Sequence, residues 1–357
     1  MLGRKRSKLD PPRSLSDRLE DLGARRIAVL GLHPRSGTRT VVQRLCAERR
    51  AAGRPIGILS APRALLPDEM VHEPESRIRV SSGTVFARVA PPDAEDAAVE
   101  VLGMEEGDPL GGAVWFCRAV AECEVAPTLH RNVDALARIA SRMTVRAGGP
   151  VLVDGGWSDR EFAAPGWSEA WILSAGAGFS DGIERIASAV RYRVDCMRTP
   201  ETDPDTASAW RRVDGEESYR ILPVAGSPIE ARDPAGVVRA LGRARSARVL
   251  VPRRLGDDLL APLARHRLPC RLVLGDATRL NVSPVYLKSW QKAGGRLEVA
   301  QAGRVLAVTT NPVNVSGPDV DAVALRDRVR TALEDAVPVH DVMLEMPVRK
   351  RRWRFWG

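Results

Sequence analysis

Ile27-Ala-Val-Leu-Gly31-Leu-His-Pro-Arg-Ser-Gly37-Thr-Arg-Thr40 joins a short apolar run, a turn rich in glycine and proline, and the opening of a helix. Four consecutive apolar residues, Ile27 to Leu30, suit a strand covered on both faces. Arg39 to Arg50 places its apolar residues at helical spacing, Gly53 closes the helix, and Ile56 to Leu59 supplies the next apolar run. Strand, helix and second strand make a βαβ unit, the usual seed of a parallel sheet.

Outward from this unit the alternation persists. Thr84 to Val89 and Ala113 to Val120 read as strands, Val133 to Met143 as a helix, Val151 to Val153 as a buried strand, and Trp171 to Leu173 with Ile183 to Val194 as one more strand and helix. Pro200 to Glu217 is rich in Asp, Thr, Pro and Ser, the composition of a linker. Beyond it Arg248 to Val251, Arg271 to Leu274, Leu297 to Ala300 and Val305 to Thr309 read as strands. Helices fall near Asp257 to His266, Pro284 to Ala293 and Asp319 to Asp335. The expectation is an α/β protein, its sheet mostly parallel and flanked by helices, with a second, smaller α/β region. The expected divisions are a basic lead-in over 1–24, a main domain over 25–198, a linker or long loop over 199–220, a second region over 221–346 and a basic tail over 347–357.

The turn after Leu30 has the layout of a P-loop. Such a loop aims backbone N–H groups and the positive end of a helix at phosphate oxygens, while its lysine neutralises the β and γ phosphates and its Ser or Thr holds magnesium. With Gly37 as the glycine before the lysine, Thr38 takes the lysine position and Arg39 the hydroxyl position. Gly31 stands six residues before Gly37, where the consensus has five. Arg35 or Arg39 can supply positive charge, since guanidinium binds phosphate well. Val151-Leu-Val-Asp154-Gly155 ends as a strand carrying a magnesium-binding aspartate would, and equally as a buried strand closed by an Asp-Gly turn. The candidate phosphate-binding residues are therefore Arg35, Ser36, Gly37, Thr38, Arg39, Thr40 and Asp154, with Thr40 and Asp154 the candidate magnesium ligands and ATP or GTP the nucleotide. Without the lysine, independent NTP hydrolysis is not expected.

Composition removes other classes. Hydrophobic residues at 44% supply a core, and a charged fraction of 28% is ordinary for a globular chain. The net charge of +9 resides in Arg4, Lys5, Arg6, Lys8, Arg349, Lys350, Arg351, Arg352 and Arg354, leaving a neutral body. No basic groove interleaved with aromatics accompanies these ends, so nucleic acid is not the expected partner. Five cysteines lie scattered without a CxxC pair, which supports neither a disulfide framework nor a zinc ribbon and suits a reducing compartment. The opening MLGRKRSKLDPPRS lacks the apolar core of a secretion signal, and no apolar run is long enough to span a bilayer, so a cytoplasmic location is expected. The five histidines are isolated, without metal-ligand spacing. His33 alone falls in the suspected site, where an exposed loop histidine is the expectation. Trp171 to Gly182 carries a glycine turn one residue too long for a dinucleotide fingerprint; Ser180 or Asp181 as a helix cap accounts for it.

Taken in order, the strand and turn above, Arg54-Pro-Ile-Gly-Ile-Leu-Ser60, Val80-Ser-Ser-Gly-Thr-Val-Phe-Ala87, Val151-Leu-Val-Asp-Gly-Gly156, Asp159-Arg-Glu-Phe-Ala-Ala-Pro165, Ile172-Leu-Ser-Ala-Gly-Ala177, Thr309-Thr-Asn-Pro-Val313 and Val339-His-Asp-Val-Met343 resemble the lysine 5,6-aminomutase reactivase small subunit family. The likeness implies a P-loop NTPase-like fold and a cytosolic accessory protein. With a MutS-like ATPase partner, it would help replace damaged cobalamin in an adenosylcobalamin-dependent aminomutase. Many members carry a regular Gly-Lys-Thr loop; Gly37, Thr40 and Asp154 match that pattern and the lysine does not. An alternative from a different class is a noncatalytic scaffold whose basic tail, Arg349 to Arg354 with Trp353 and Trp356, docks an acidic or nucleic-acid partner.

Overall fold

The computed structural model describes residues 14–61, 77–89, 91–92, 97–106, 112–125, 133–180, 182–243, 247–314 and 317–344. Both basic ends, and Asp181, lie outside the described residues. The first stretch runs α1 (Leu15–Leu22), β1 (Arg26–Gly31), α2 (Thr38–Ala51), β2 (Gly57–Ser60), β3 (Ile78–Val80), β4 (Val85–Arg88), β5 (Val99–Glu105), β6 (Val114–Ala119), β7 (Cys123–Val125), α3 (Val133–Ala147), β8 (Val151–Gly156), β9 (Ala170–Gly176) and α4 (Ile183–Met197). The second comprises α5 (Pro204–Val213), β10 (Tyr219–Leu222), β11 (Ile229–Ala231), α6 (Pro234–Leu241), β12 (Arg248–Leu250), β13 (Leu255–Gly256), α7 (Asp257–Arg265), β14 (Arg271–Leu274), β15 (Leu280–Asn281), α8 (Pro284–Lys292) and β16 (Arg296–Val299). The chain closes with β17 (Val305–Asn311), α9 (Ala322–Leu333) and β18 (Val339–Asp341).

Two compact units result. One takes residues up to 162, then 170–188 and 306 onward; the other takes 163–169 and 189–305. The first is built on a nine-stranded sheet in the order β18-β17-β9-β1-β8-β2-β4-β6-β5. β1 runs parallel to both β8 and β9, β2 runs parallel to β8 and β4, and β17 runs parallel to β18; β4, β6 and β5 meet antiparallel at one edge. The sheet is thus mostly parallel, as expected, and covered on both faces. On one face Val41, Val42, Leu45 and Cys46 of α2 share a buried cluster with Ile27, Val29, Leu152 and Ile172. Opposite, Met143 and Ala147 of α3 close over Gly57 and Val151. Fully burying one such Val or Leu contributes about 1.5–3 kcal/mol, so α2 is anchored firmly and its first turn is held in place.

Three of the expected divisions give way. The described residues begin at Ser14, which caps α1; Leu15 and Leu19 enter the main cluster, and α1 is tied to α2 by Arg49 to Glu20 at 2.8 Å. Residues 199–220 are no simple linker, because Asp203 accepts from Thr206 N–H, Pro204 starts α5, and Trp210 buries itself while donating to the Val251 carbonyl at 3.0 Å. Asp, Thr, Pro and Ser suit a helix start as well as a loop. Finally, 306–344 joins the first unit, because β17 extends that sheet beside β9. The second unit carries its own sheet, β11-β10-β12-β14-β16, with β12, β14 and β16 parallel.

Candidate functional site

β1 ends at Gly31, and the chain turns at once. Leu32 N–H donates to the Ser174 carbonyl of β9 at 2.8 Å, and Ser174 Oγ donates back to the Ser36 carbonyl at 2.8 Å, so the turn is stitched to the neighbouring strand at both ends. Arg35 has φ +61° and Gly37 has φ +94°, with Ser36 between them in the negative-φ range. Alternation of this kind folds successive N–H groups into a concave nest that attracts anions. Among the described residues, the N–H groups of Ser36, Gly37 and Thr38 meet no protein acceptor. Gly37 caps α2 without any side-chain bond to the first turn, which leaves the positive end of a fourteen-residue helix facing the same place.

Gly37 is required twice over. Its left-handed backbone is open to glycine and strained for other residues, and a Cβ there would stand 2.6 Å from Asn311 Nδ2 at the end of β17. The rest of the turn divides by exposure. Arg35 is exposed, Arg39 and Thr40 are half-buried in the first turn of α2, and Ser36 and Thr38 are buried. Ser36 Oγ lies under the turn with no hydrogen-bond partner among the described residues. Thr38, at the lysine position, is 7% exposed and too short to reach across a bound phosphate chain.

Asp154 is buried on β8, level with Val29 of β1 and Ser60 of β2. Leu152 belongs to the cluster under α2, and a strand repeats its face every second residue, so Asp154 stands on the α2 face one strand from the turn. Gly155, beside it, leaves room for the Phe162 ring, which would lie 2.4 Å from an added Cβ. The Asp-Gly pair is therefore part of a continuous strand, β8, rather than a turn.

His33 is not the exposed loop residue expected from the sequence. Its Nε2 lies 3.0 Å from the Gly176 carbonyl, its Nδ1 faces the Pro34 carbonyl, and its ring centroid is 5.5 Å from that of Phe179. Burial holds its pKa below the ordinary 6.5, although both carbonyls act in the opposite direction. Ser174 and Asn311 are the participants that sequence reading missed; each is a small polar residue at a strand end, distant in sequence, and no local pattern marks it. In the glycine turn after β9, Ser180 Oγ accepts from Gly182 N–H at 3.1 Å as a local turn contact, while the Gly182 carbonyl accepts the first bonds of α4, so Ser180 stands two residues before the cap position.

Uncommitted amides at the start of a helix can hold an oxyanion such as a phosphate. No cluster of three or more His, Cys, Asp or Glu side chains suited to a metal occurs among the described residues. No described helix is long and apolar enough to cross a membrane. No family model, curated protein or solved structure matches this chain.

Proposed function

We propose that this chain is a phosphate-binding accessory protein of P-loop descent, which holds a nucleotide or its phosphates without hydrolysing them. The observation that carries this reading is the alternating backbone of Arg35, Ser36 and Gly37, with three consecutive amides uncommitted at the start of α2. In a P-loop the lysine stabilises the transferred phosphoryl group, and its absence removes turnover before it removes binding. The resemblance of the ordered segments adds the biological setting: the small subunit of a reactivation system for a cobalamin-dependent aminomutase, working beside a MutS-like ATPase that supplies the hydrolysis.

Isothermal calorimetry with ATP, GTP and pyrophosphate tests the first part. Saturable binding that survives EDTA, with phosphate release no faster than in buffer, supports it; absence of binding by all three compounds removes it. The setting is tested separately, by adding the chain to an inactivated adenosylcobalamin-dependent aminomutase together with its MutS-like ATPase. Recovery of mutase activity that does not depend on this chain would dismiss that role while leaving the phosphate site standing.

A further inference from the structure

A cavity of about 640 Å³ opens within the first unit, between α1, α2 and the turn that joins α9 to β18. Four arginines and a histidine line it: Arg18, Arg44, Arg326, Arg330 and His340. Two carboxylates, Glu48 and Asp335, face them. Glu48 is already engaged, since Arg44 Nε donates to it at 2.6 Å and Ser16 N–H at 3.1 Å. Arg326 and Arg330 stand one helical turn apart on α9, and Asp327 serves both, at 2.9 Å and 3.6 Å. Like charges at that spacing repel. Arg18 Nε donates to His340 Nε2 at 3.2 Å, and no carboxylate pairs with Arg18 among the described residues.

The site is built before any ligand arrives. Arg44 is 5% exposed and is fixed by Glu48 on one side and by the Asp341 carbonyl at 2.7 Å on the other. Arg18 is pinned through His340. The chain turns sharply at the rim, where Glu334, the left-handed C-cap of α9, and Asp335 adopt φ of +53° and +56°. Complementing the carbonyl end of α9 explains one cation there. Glu48 offsets Arg44, which leaves Arg18 on α1 beside His340 with no carboxylate partner among the described residues.

We infer that this cavity is a second anion site, separate from the turn after β1, and that it takes a multiply charged small molecule, a polyphosphate or a polycarboxylate. The volume falls within the range of small-molecule pockets and exceeds what a lone phosphate fills. Guanidinium forks grip both kinds of oxyanion through paired N–H bonds. Binding here depends on side-chain charge, so it weakens as salt rises.

The test uses the full chain, with pyrophosphate and citrate as probes, titrated calorimetrically into the wild type, the double variant Arg18→Gln/Arg330→Gln and the loop variant Arg35→Glu. Arg18 and Arg330 are partly exposed, so their replacement leaves the core intact; matching circular dichroism and melting curves verify this. Losing two charge-assisted contacts should weaken binding of at least one probe by about 100-fold, while Arg35→Glu retains that binding. Whichever probe shows the loss identifies the ligand as phosphate-bearing or carboxylate-bearing. Equal affinity in the wild type and the double variant, or no heat from either probe in the wild type, overturns the inference. Failure of the nest alone would show as loss of an Arg35-sensitive component with the Arg18/Arg330-sensitive one retained.

Discussion

The turn after β1 and the cavity beside α9 present positive potential in the same unit by different means. In the turn the donors are main-chain N–H groups set by the φ alternation of Arg35, Ser36 and Gly37, and the lysine that normally reinforces them is missing. At the cavity the donors are guanidiniums from three helices, two of them held by carbonyl or imidazole partners. Backbone donors demand a particular conformation and tolerate changes of side chain; arginine donors tolerate conformational adjustment and demand charge. Substitutions that alter backbone freedom and those that remove charge should therefore separate the two sites.

The largest effect is expected from Gly37→Val. It forces a β-branched side chain into φ +94° and against Asn311, and should cost about 2–4 kcal/mol in urea unfolding while abolishing phosphate binding at the turn. Unchanged stability would show that the turn is not packed as described. Next in size is Asn311→Ala. Its Oδ1 accepts Val313 N–H at 3.2 Å and its amide walls the nest, so a loss of about 1 kcal/mol is expected, with a drop in affinity for pyrophosphate at the turn and none for the anion held by Arg18 and Arg330. An equal fall at both sites would mean that they are coupled. A milder comparison is ionic strength: from low salt to physiological salt, the arginine cavity should lose affinity more steeply than the nest.

The smallest effect concerns His33. Its folded pKa lies below the unfolded 6.5, so the folded state prefers the neutral ring. The stability this gives is present above 6.5 and is lost as pH falls through the folded value. Thermal melts between pH 7.5 and 5 should fall more steeply for the wild type than for His33→Gln. The two carbonyls beside the ring limit the difference, because a neutral imidazole donates to one of them and the cation to both.

How much of this was readable beforehand follows from the range of each signal. Ile27 to Leu30, Arg39 to Arg50 and Val151 to Val153 declared themselves, since burial on both faces gives an unbroken apolar run and burial on one helical face gives a period near four. α1 was hidden inside a polar stretch, because two leucines on an eight-residue helix suffice once α2 covers them. In sequence α5 has the composition of a linker, because Asp203 and Pro204 serve caps and loops alike. β17 could not be assigned to the first unit, as its neighbour β9 is more than a hundred residues away and strand pairing leaves no trace in local periodicity; β18 joins the sheet through β17. The same holds at the candidate site. The glycine and the helix start were legible, whereas Ser174 and Asn311, which shape the turn, acquire meaning when the sheet brings them alongside it.

The central claim is that main-chain N–H groups between β1 and α2 bind an anion. Its most direct test is an amide-resolved NMR titration of the full chain with pyrophosphate in EDTA. The expected result is saturable displacement of the Ser36, Gly37 and Thr38 N–H resonances, preserved in Arg18→Gln/Arg330→Gln. If those three resonances stay fixed while others respond, or if no resonance moves at all, the nest does not hold phosphate and the proposed descent loses its basis.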